Sequence, residues 1–227
     1  MDPRAEQALA LLQEPGVLTE ELRRRLLELL RQPPEAPHVP YETFLAQVDE
    51  DTLAEWVNGR VVHYRPASRP HQEVVGFLYG LLRAYVEVRG LGVVLPAPFQ
   101  MRLSRSGREP DLLFVARPHL DRLHPTHLEG PADLVVEVVS PESAARDRGE
   151  KFYEYQEAGI LEYWLVDPHN RWAEFYQLLP TSRYRLAQEG HQGEYCSLVL
   201  PGFCLQIEWL WSPPPLLHAL RQLGILG

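Results

Sequence analysis

Lysine is nearly absent from this sequence, and cysteine is scarce. Of its 22 basic residues, one is a lysine, Lys151, and the other 21 are arginines. The two cysteines, Cys196 and Cys204, are too few for a disulfide framework or a four-cysteine zinc site. We expect both to be small strand or core residues and not a redox pair. An apolar core must therefore hold the chain together, and its 227 residues are enough to form one.

Long apolar runs are also missing. No stretch approaches the roughly 20 consecutive apolar residues of a membrane helix, which excludes a spanning protein. The first residues lack the apolar core and cleavage site of a secretion signal, so we expect a cytoplasmic protein with no membrane partner. The formal net charge of −9 argues against a protein that coats nucleic acid. It leaves room for an enzyme that contacts a few phosphates through a local site.

A proline-rich stretch predicts a boundary within the chain. Residues 33–40 contain four prolines, and we interpret them as an extended linker. Before the linker, leucines at helical spacing in residues 1–32 predict a helical arm. After it, residues 41–227 have the length of one domain.

Apolar patterns in this domain alternate between strand and helix. Asn58-Gly59 between two short apolar runs predicts a hairpin. A long helix is predicted to begin after Ser68 and to end at Gly90. The nearly continuous apolar run Asp133–Ser140 predicts a central strand that is buried on both faces. Strands and helices in this order predict an α/β or α+β domain around a mixed sheet.

Two carboxylates occupy positions in predicted apolar strands, where uncharged side chains are usual. Glu137 interrupts the apolar central strand, and a buried carboxylate must be paired or bound to a metal. Asp111 opens another apolar strand directly after Pro110. We predict that the two face each other across adjacent strands and share one ion. Oxygen ligands of this kind suit Mg²⁺ or Mn²⁺.

The single lysine falls just beyond the central strand. We predict a helix that starts at Asp147, with Glu150 completing a capping box, so that Lys151 lies in its first turn. A cation there opposes the helix dipole, at a cost of a few tenths to about 1 kcal/mol. Pairing with Asp147 four residues earlier is one explanation. The other is catalytic, because metal-assisted phosphodiester cleavage needs a group that orients water or offsets developing charge.

Three segments carry a family resemblance. They are Glu109–Val115, Asp133–Pro141 and Ala158–Pro168, accompanied by Asp147, Lys151 and Tyr155 and by upstream Glu55, Asn58-Gly59 and His71. Together they resemble the Uma-two family, which are restriction-endonuclease-like proteins of the PD-(D/E)XK nuclease superfamily. The resemblance covers roughly residues 41–200.

The resemblance implies a restriction-endonuclease-like core, a mixed β-sheet flanked by helices. It implies that Asp111 and Glu137 hold the metal and that Lys151 completes the catalytic set. The superfamily lysine usually lies two residues after the acid, where this chain has Val139. The Uma-two pattern is similar to one in which the lysine has moved to the next helix, where Lys151 stands.

Five further residues are weaker candidates. His71 and Glu55 could support the site, and Arg102, Arg105 and Arg108 could contact phosphates just before the proline-aspartate strand. Each has a structural alternative. His71 could be a helix cap, Glu55 an ordinary hairpin acid, and the arginines a solvated loop.

These residues lead to a main expectation and two alternatives. We expect a Mg²⁺- or Mn²⁺-dependent DNA endonuclease with Asp111, Glu137 and Lys151 as catalytic residues. The first alternative is a catalytically silent nucleic-acid-binding or assembly module on the same fold, and the second is a phosphohydrolase of small substrates. Cutting both strands of a duplex is simplest with two symmetric sites, so a homodimer is a plausible partner arrangement.

Deleting residues 1–32 tests the predicted division of the chain. Because the arm is expected to pack on the core or on a second chain without building the site, the shortened protein should bind metal at the cleft as the full chain does. Titration calorimetry with Mn²⁺ measures this. Loss of metal binding with the domain still folded would contradict the division.

Overall fold

A computed structural model of the protein describes residues 38–47, 54–63, 67–141 and 143–226. The predicted helical arm, residues 1–32, and most of the predicted linker lie outside this part. The division of the chain into arm, linker and domain therefore stays a prediction.

Helices and strands alternate along the described residues. The helices are α1 (Tyr41–Gln47), α2 (Arg69–Arg89), α3 (Ala144–Asp147), α4 (Glu150–Ala158) and α5 (Leu216–Gln222), with 3-10 helices at Arg117–Arg122 and Ile207–Leu210. The strands are β1 (Ala54–Val57), β2 (Arg60–His63), β3 (Gly92–Pro96), β4 (Gln100–Arg102), β5 (Ser106–Arg108), β6 (Leu112–Ala116), β7 (His127–Glu129), β8 (Leu134–Val138), β9 (Glu162–Asp167), β10 (Trp172–Leu178), β11 (Tyr184–Gly190), β12 (Glu194–Cys196) and β13 (Cys204–Gln206). Within the described ranges, no helix is both long enough and apolar enough to cross a membrane.

The central sheet has the strand order β11-β10-β9-β8-β6-β3. β8 and β9 run parallel, and the remaining neighbours run antiparallel. Every residue of β8 is buried, as its unbroken apolar run predicts. Mixed sheets flanked by helices confirm the predicted α+β fold class.

Helix α2 covers one face of the central sheet. Ser68 Oγ accepts the backbone N–H of His71 at 3.4 Å, and Gly90 ends the helix with a left-handed φ of 63°. Both ends match the prediction. The buried side of α2 packs on the even-numbered side chains of β6 and β8, such as Phe114 and Val136. Since side chains alternate along a strand, the odd-numbered Glu137 points to the opposite face.

A second sheet brings side chains from earlier in the chain to that opposite face. Its strand order is β2-β1-β5-β4-β7. Asn58 and Gly59, both with positive φ, form the predicted hairpin turn between β1 and β2. β1 then pairs with β5, which places Glu55 and Arg108 in neighbouring strands.

Helix α4 begins at Glu150, so the capping box predicted at Asp147 is wrong. Asp147 instead belongs to the short helix α3, and the backbone of Gly149 is non-helical between the two helices. The Asp147 side chain is buried and lies 3.7 Å from Lys151 Nζ. An acid three residues before Glu150 matches the sequence pattern of a helix cap. The non-helical backbone at Gly149 separates the two helices, and the Asp147 side chain lies in the protein interior instead.

Cys196 and Cys204 form a disulfide bond, contrary to the expectation that they would not pair. They lie directly opposite each other in the two-stranded ribbon of β12 and β13, with Cα atoms 4.0 Å apart. The register of the ribbon creates this proximity, and the spacing of the two cysteines in the sequence does not reveal it.

Glu162 attaches this ribbon to the central sheet. It begins β9 and is completely buried. Its two carboxylate oxygens accept five hydrogen bonds of 2.6–3.1 Å, from the side chains of Trp164, Tyr195 and Ser197 and from the backbone N–H groups of Leu198 and Val199. The Glu162 carboxylate thus accepts hydrogen bonds from polar groups that would otherwise lack a partner.

Glu162→Ala should destabilise the protein by at least about 3 kcal/mol, because several buried donors lose their acceptor together. Urea unfolding measures the change. Glu189→Ala removes an exposed carboxylate from β11 and should stay within about 0.5 kcal/mol of the wild type. Equal effects of the two substitutions would contradict the anchoring role.

Candidate active site

Asp111 and Glu137 lie side by side at one end of the central sheet. β6 and β8 pair in the register Leu112–Val136, and one residue further the same register sets Asp111 opposite Glu137. The carboxylate Oδ2 of Asp111 accepts the backbone N–H of Val138 at 2.7 Å, which fixes it against β8. Opposed residues of an antiparallel pair share a face of the sheet. The two carboxylates therefore point to the face that α2 leaves uncovered.

Lys151 projects into this face from the first turn of α4. Its Nζ atom lies 2.9 Å from Glu137 Oε1, 3.2 Å from Glu55 Oε1 and 3.7 Å from Asp147 Oδ1. The side chain is buried. Those three carboxylates raise the pKa of Lys151, which outweighs the effect of burial in the opposite direction. The neighbouring carboxylates therefore favour the charged form of this buried ammonium.

Glu137 is the carboxylate with the least favourable surroundings. Burial raises its pKa to about 8, and Asp147, Asp111 and Glu55 add to the rise, while the Lys151 ammonium opposes it. The hydroxyl of Tyr155 donates to Glu137 Oε1 at 2.7 Å. The Lys151 ammonium thus only partly offsets burial and the neighbouring acids, and the pKa of Glu137 stays raised. A cation bound beside Glu137 would lower this pKa.

Arg108 is the second cation of the cluster, and it is not available to a phosphate. Its side chain is 1% exposed, with Nη1 3.3 Å from Glu55 and Nη2 2.6 Å from both Glu150 and Glu154. The prediction of a phosphate contact is therefore wrong for this residue, because β5 turns it inward between the second sheet and α4. Burial would raise the pKa of Glu55, but Lys151, Arg108 and the N–H of Glu109 together lower it.

Arg102 and Arg105 lie outside the cluster. Arg102 is 3.4 Å from Glu42 and 3.5 Å from Glu129, and it stacks over the Tyr41 ring. Arg105 is exposed and lies 2.9 Å from Glu157. Neither joins the carboxylates of the sheet, and phosphate contact by these two arginines stays a prediction.

His71 reaches the site from the first turn of α2. Its Nε2 atom lies 3.2 Å from Asp111 Oδ1, and its Nδ1 atom is buried without a hydrogen-bond partner. The helix N-terminus thus faces a carboxylate, which is the favourable orientation for its dipole. The helix cap is Ser68 and not His71, whose ring contacts Asp111, and a supporting role of His71 in the site stays a prediction.

Two site residues were not among the predicted ones. Asp147 was interpreted as a helix cap, although its spacing to Lys151 was a signal of the contact that forms. Its Oδ1 atom is buried with no hydrogen-bond partner, and burial raises its pKa. Tyr155 lies one turn after Lys151 on the same side of α4, and the family resemblance includes it without giving it a role.

The donor set of this cluster fits a hard divalent cation. It consists of carboxylate oxygens, one of them an unpartnered oxygen of Asp147, and oxygen ligands are those that Mg²⁺ and Mn²⁺ prefer. Asp111 and Glu137 are the two that share a face at the end of adjacent strands. In the described residues, the set of three possible metal-ligating side chains whose ligand atoms all lie within 4.8 Å of one another is a different one. It consists of Glu194, Cys196 and Cys204, and the two sulfur atoms are joined in the disulfide. The carboxylate pair would therefore hold an ion together with water or substrate oxygens.

The profile of the Uma2 family, described as "Putative restriction endonuclease", matches residues 41–208. This chain belongs to the Uma2 family, as its sequence resemblance to the Uma-two proteins predicts.

The fold recurs in a solved structure. A crystal structure described as "a putative nuclease belonging to DUF820", from Anabaena variabilis, superposes with a TM-score of 0.65 and is 14% identical in sequence. The match covers 75% of this chain and 96% of that chain. No curated protein matches the sequence. At this identity the structural match establishes the fold, and the chemistry must be argued from the residues of this chain.

Stability should depend on pH through Glu137. Between its ordinary pKa of 4.5 and about 8, the folded protein holds a proton that the unfolded chain releases. Raising the pH through this window therefore favours unfolding. Without added metal, the wild type should lose at least about 1 kcal/mol more stability from pH 5 to pH 8 than Glu137→Gln does.

Urea unfolding at a series of pH values measures this difference. Glu87→Gln, on the exposed side of α2, is the matched control and should follow the wild-type profile. Parallel profiles for wild type and Glu137→Gln would contradict the raised pKa.

Proposed function

We propose that this protein is a Mg²⁺- or Mn²⁺-dependent DNA endonuclease that hydrolyses phosphodiester bonds. The observation that carries the proposal is the burial of the chain's single lysine against Glu137, on the strand beside Asp111. A salt bridge built only for stability would seldom be buried among several carboxylates, because desolvation offsets its attraction. Membership of the Uma2 family supports the same assignment.

Asp111 and Glu137 are the proposed metal ligands. A bound Mg²⁺ or Mn²⁺ supplies polarisation of the phosphate and a bound water of lowered pKa. Asp111 is held in place by the Val138 N–H and by His71, so its free lone pairs have a defined direction. Glu137 releases the proton that its surroundings impose on it and becomes an anionic ligand.

Lys151 is proposed to orient the attacking water and to offset negative charge that develops on the phosphate. Its ammonium lies 2.9 Å from Glu137 Oε1, so it would lie near an ion that this carboxylate held. Glu55 and Asp147 position it from two other elements. Arg108 in turn holds Glu55, so it acts as a positioning residue for the lysine. Glu55 and His71 are the proposed supporting residues, since Glu55 contacts Lys151 and His71 contacts Asp111.

The alternative is a catalytically silent nucleic-acid-binding or assembly module on the same fold. The net charge of −9 favours the assembly form of this alternative, because an acidic surface repels a duplex. DNA as partner and homodimerisation are shared by both proposals. The two proposals differ in whether the protein cleaves DNA.

Cleavage of supercoiled plasmid with Mg²⁺ or Mn²⁺ tests the proposal. Asp111→Asn should lose at least about a hundredfold in rate, since it removes a ligand charge. Lys151→Arg should lose at least about tenfold, because a bulky planar guanidinium replaces a compact ammonium. Lys151→Ala should lose about 10²–10⁴-fold. Direct conversion to linear product would indicate two symmetric sites in a homodimer.

Arg83→Lys is the matched control for Lys151→Arg. It exchanges the same two side chains at an exposed position of α2 and should leave the rate unchanged. Equal rates for wild type and Lys151→Arg would remove the lysine from the mechanism. Absence of metal-dependent cleavage by the wild type on supercoiled, linear and single-stranded DNA would favour the silent module.

A further inference from the structure

An aromatic cleft lies at the end of β10, outside the carboxylate cluster. Its volume is about 400 Å³. It opens between the turn that joins β9 to β10 and the 3-10 helix Ile207–Leu210. The residues that line it include Asn170, Arg171, Trp172, His191, Gln192 and Trp211.

Trp172 gives this cleft an exposed stacking surface. Its side chain is 36% exposed, and its ring centroid lies 6.4 Å from that of His191, with the planes 31° apart. Trp211 donates its indole N–H to the backbone oxygen of His191 at 2.9 Å, which holds the far wall in place. An indole is mostly buried in a folded protein, so one left open in a cleft indicates a ligand with a flat face.

The polar groups around the rings suit a negatively charged chain that carries hydrogen-bonding rings. Arg171 is exposed and has no ion pair with any residue in the described ranges. Glu208 is the acid of the lining, and its carboxylate accepts the N–H of Gly193 at 3.0 Å. The Gln192 amide offers both a donor and an acceptor.

The position of Trp172 connects the cleft with the proposed active site. Glu174, Leu165 and Glu137 form one row across β10, β9 and β8, and residues in such a row share a face. Trp172 is two residues from Glu174, so it lies on the same face and toward the same sheet end. With strands about 4.8 Å apart and about 3.3 Å per residue, its Cα atom is roughly 12 Å from that of Glu137.

We infer that this cleft binds an unpaired base of single-stranded DNA, stacked on Trp172, with Arg171 beside the neighbouring phosphate. The inference rests on the proposed nuclease function, since it makes single-stranded or frayed DNA the substrate class. A distance of roughly 12 Å corresponds to a few nucleotides at 3.4 Å per base. A base in a duplex is already stacked on both sides and would not enter the cleft.

Binding of a fluorescein-labelled 12-nucleotide thymidine strand, in EDTA so that no cleavage occurs, tests the inference. Trp172→Ala should weaken binding about tenfold, as loss of one base–aromatic stack does. Trp172→Phe should retain most of the affinity. Leu217→Ala, an equally apolar exposed position on α5, should bind as the wild type does. A blunt duplex of the same length should bind equally to all four proteins.

Each other outcome overturns the inference. If Trp172→Ala binds the strand as tightly as wild type, the cleft does not hold a base. If wild type does not bind the strand, or if soluble oligosaccharides quench Trp172 fluorescence and DNA does not, the occupant is wrong. Because these readouts need no turnover, they are independent of plasmid cleavage. A protein that binds through Trp172 and does not cut would disprove the nuclease proposal alone.

Discussion

The desolvated ammonium of Lys151 is the group around which the described structure is arranged. Glu137 from the central sheet, Glu55 from the second sheet and Asp147 from α3 all approach it within 4 Å. An isolated buried ammonium would lose its charge, and isolated buried carboxylates would gain protons. Each group keeps its place because the others are there. The cluster therefore joins three separate elements, and an excess of carboxylate is left beside Asp111.

Arg108 extends this cluster to the surface of α4. Its guanidinium joins Glu55 of the second sheet to Glu150 and Glu154, which lie on either side of Lys151 along the helix. The orientation of α4, and with it the direction of Lys151, is set by these charge-assisted hydrogen bonds. An arginine and a lysine thus have different tasks here. The planar fork of Arg108 bridges acids of the second sheet and of α4, while the compact ammonium fits between the carboxylates of Glu137, Glu55 and Asp147.

The same sheet end also explains how an acidic protein could handle DNA. A metal ion between Asp111 and Glu137 would bring positive charge to the one place where carboxylates are crowded. The proposed stack on Trp172 would add affinity through the face of a base, beside the exposed Arg171. The net charge of −9 opposes binding of a nucleic acid, so these local contacts have to outweigh it.

The sequence by itself determined several of the helices, strands and turns. Ser68 and Gly90 bound helix α2, Asn58-Gly59 turns the hairpin, and the apolar run around Glu137 marks the buried strand, because each depends on local backbone preference and side-chain pattern. Tertiary structure alone decided that Glu137 and Glu55 meet Lys151, that Arg108 faces inward, and that Cys196 pairs with Cys204. These contacts join strands and helices far apart in the chain or depend on strand register, and no local pattern encodes the relative placement of two packed elements.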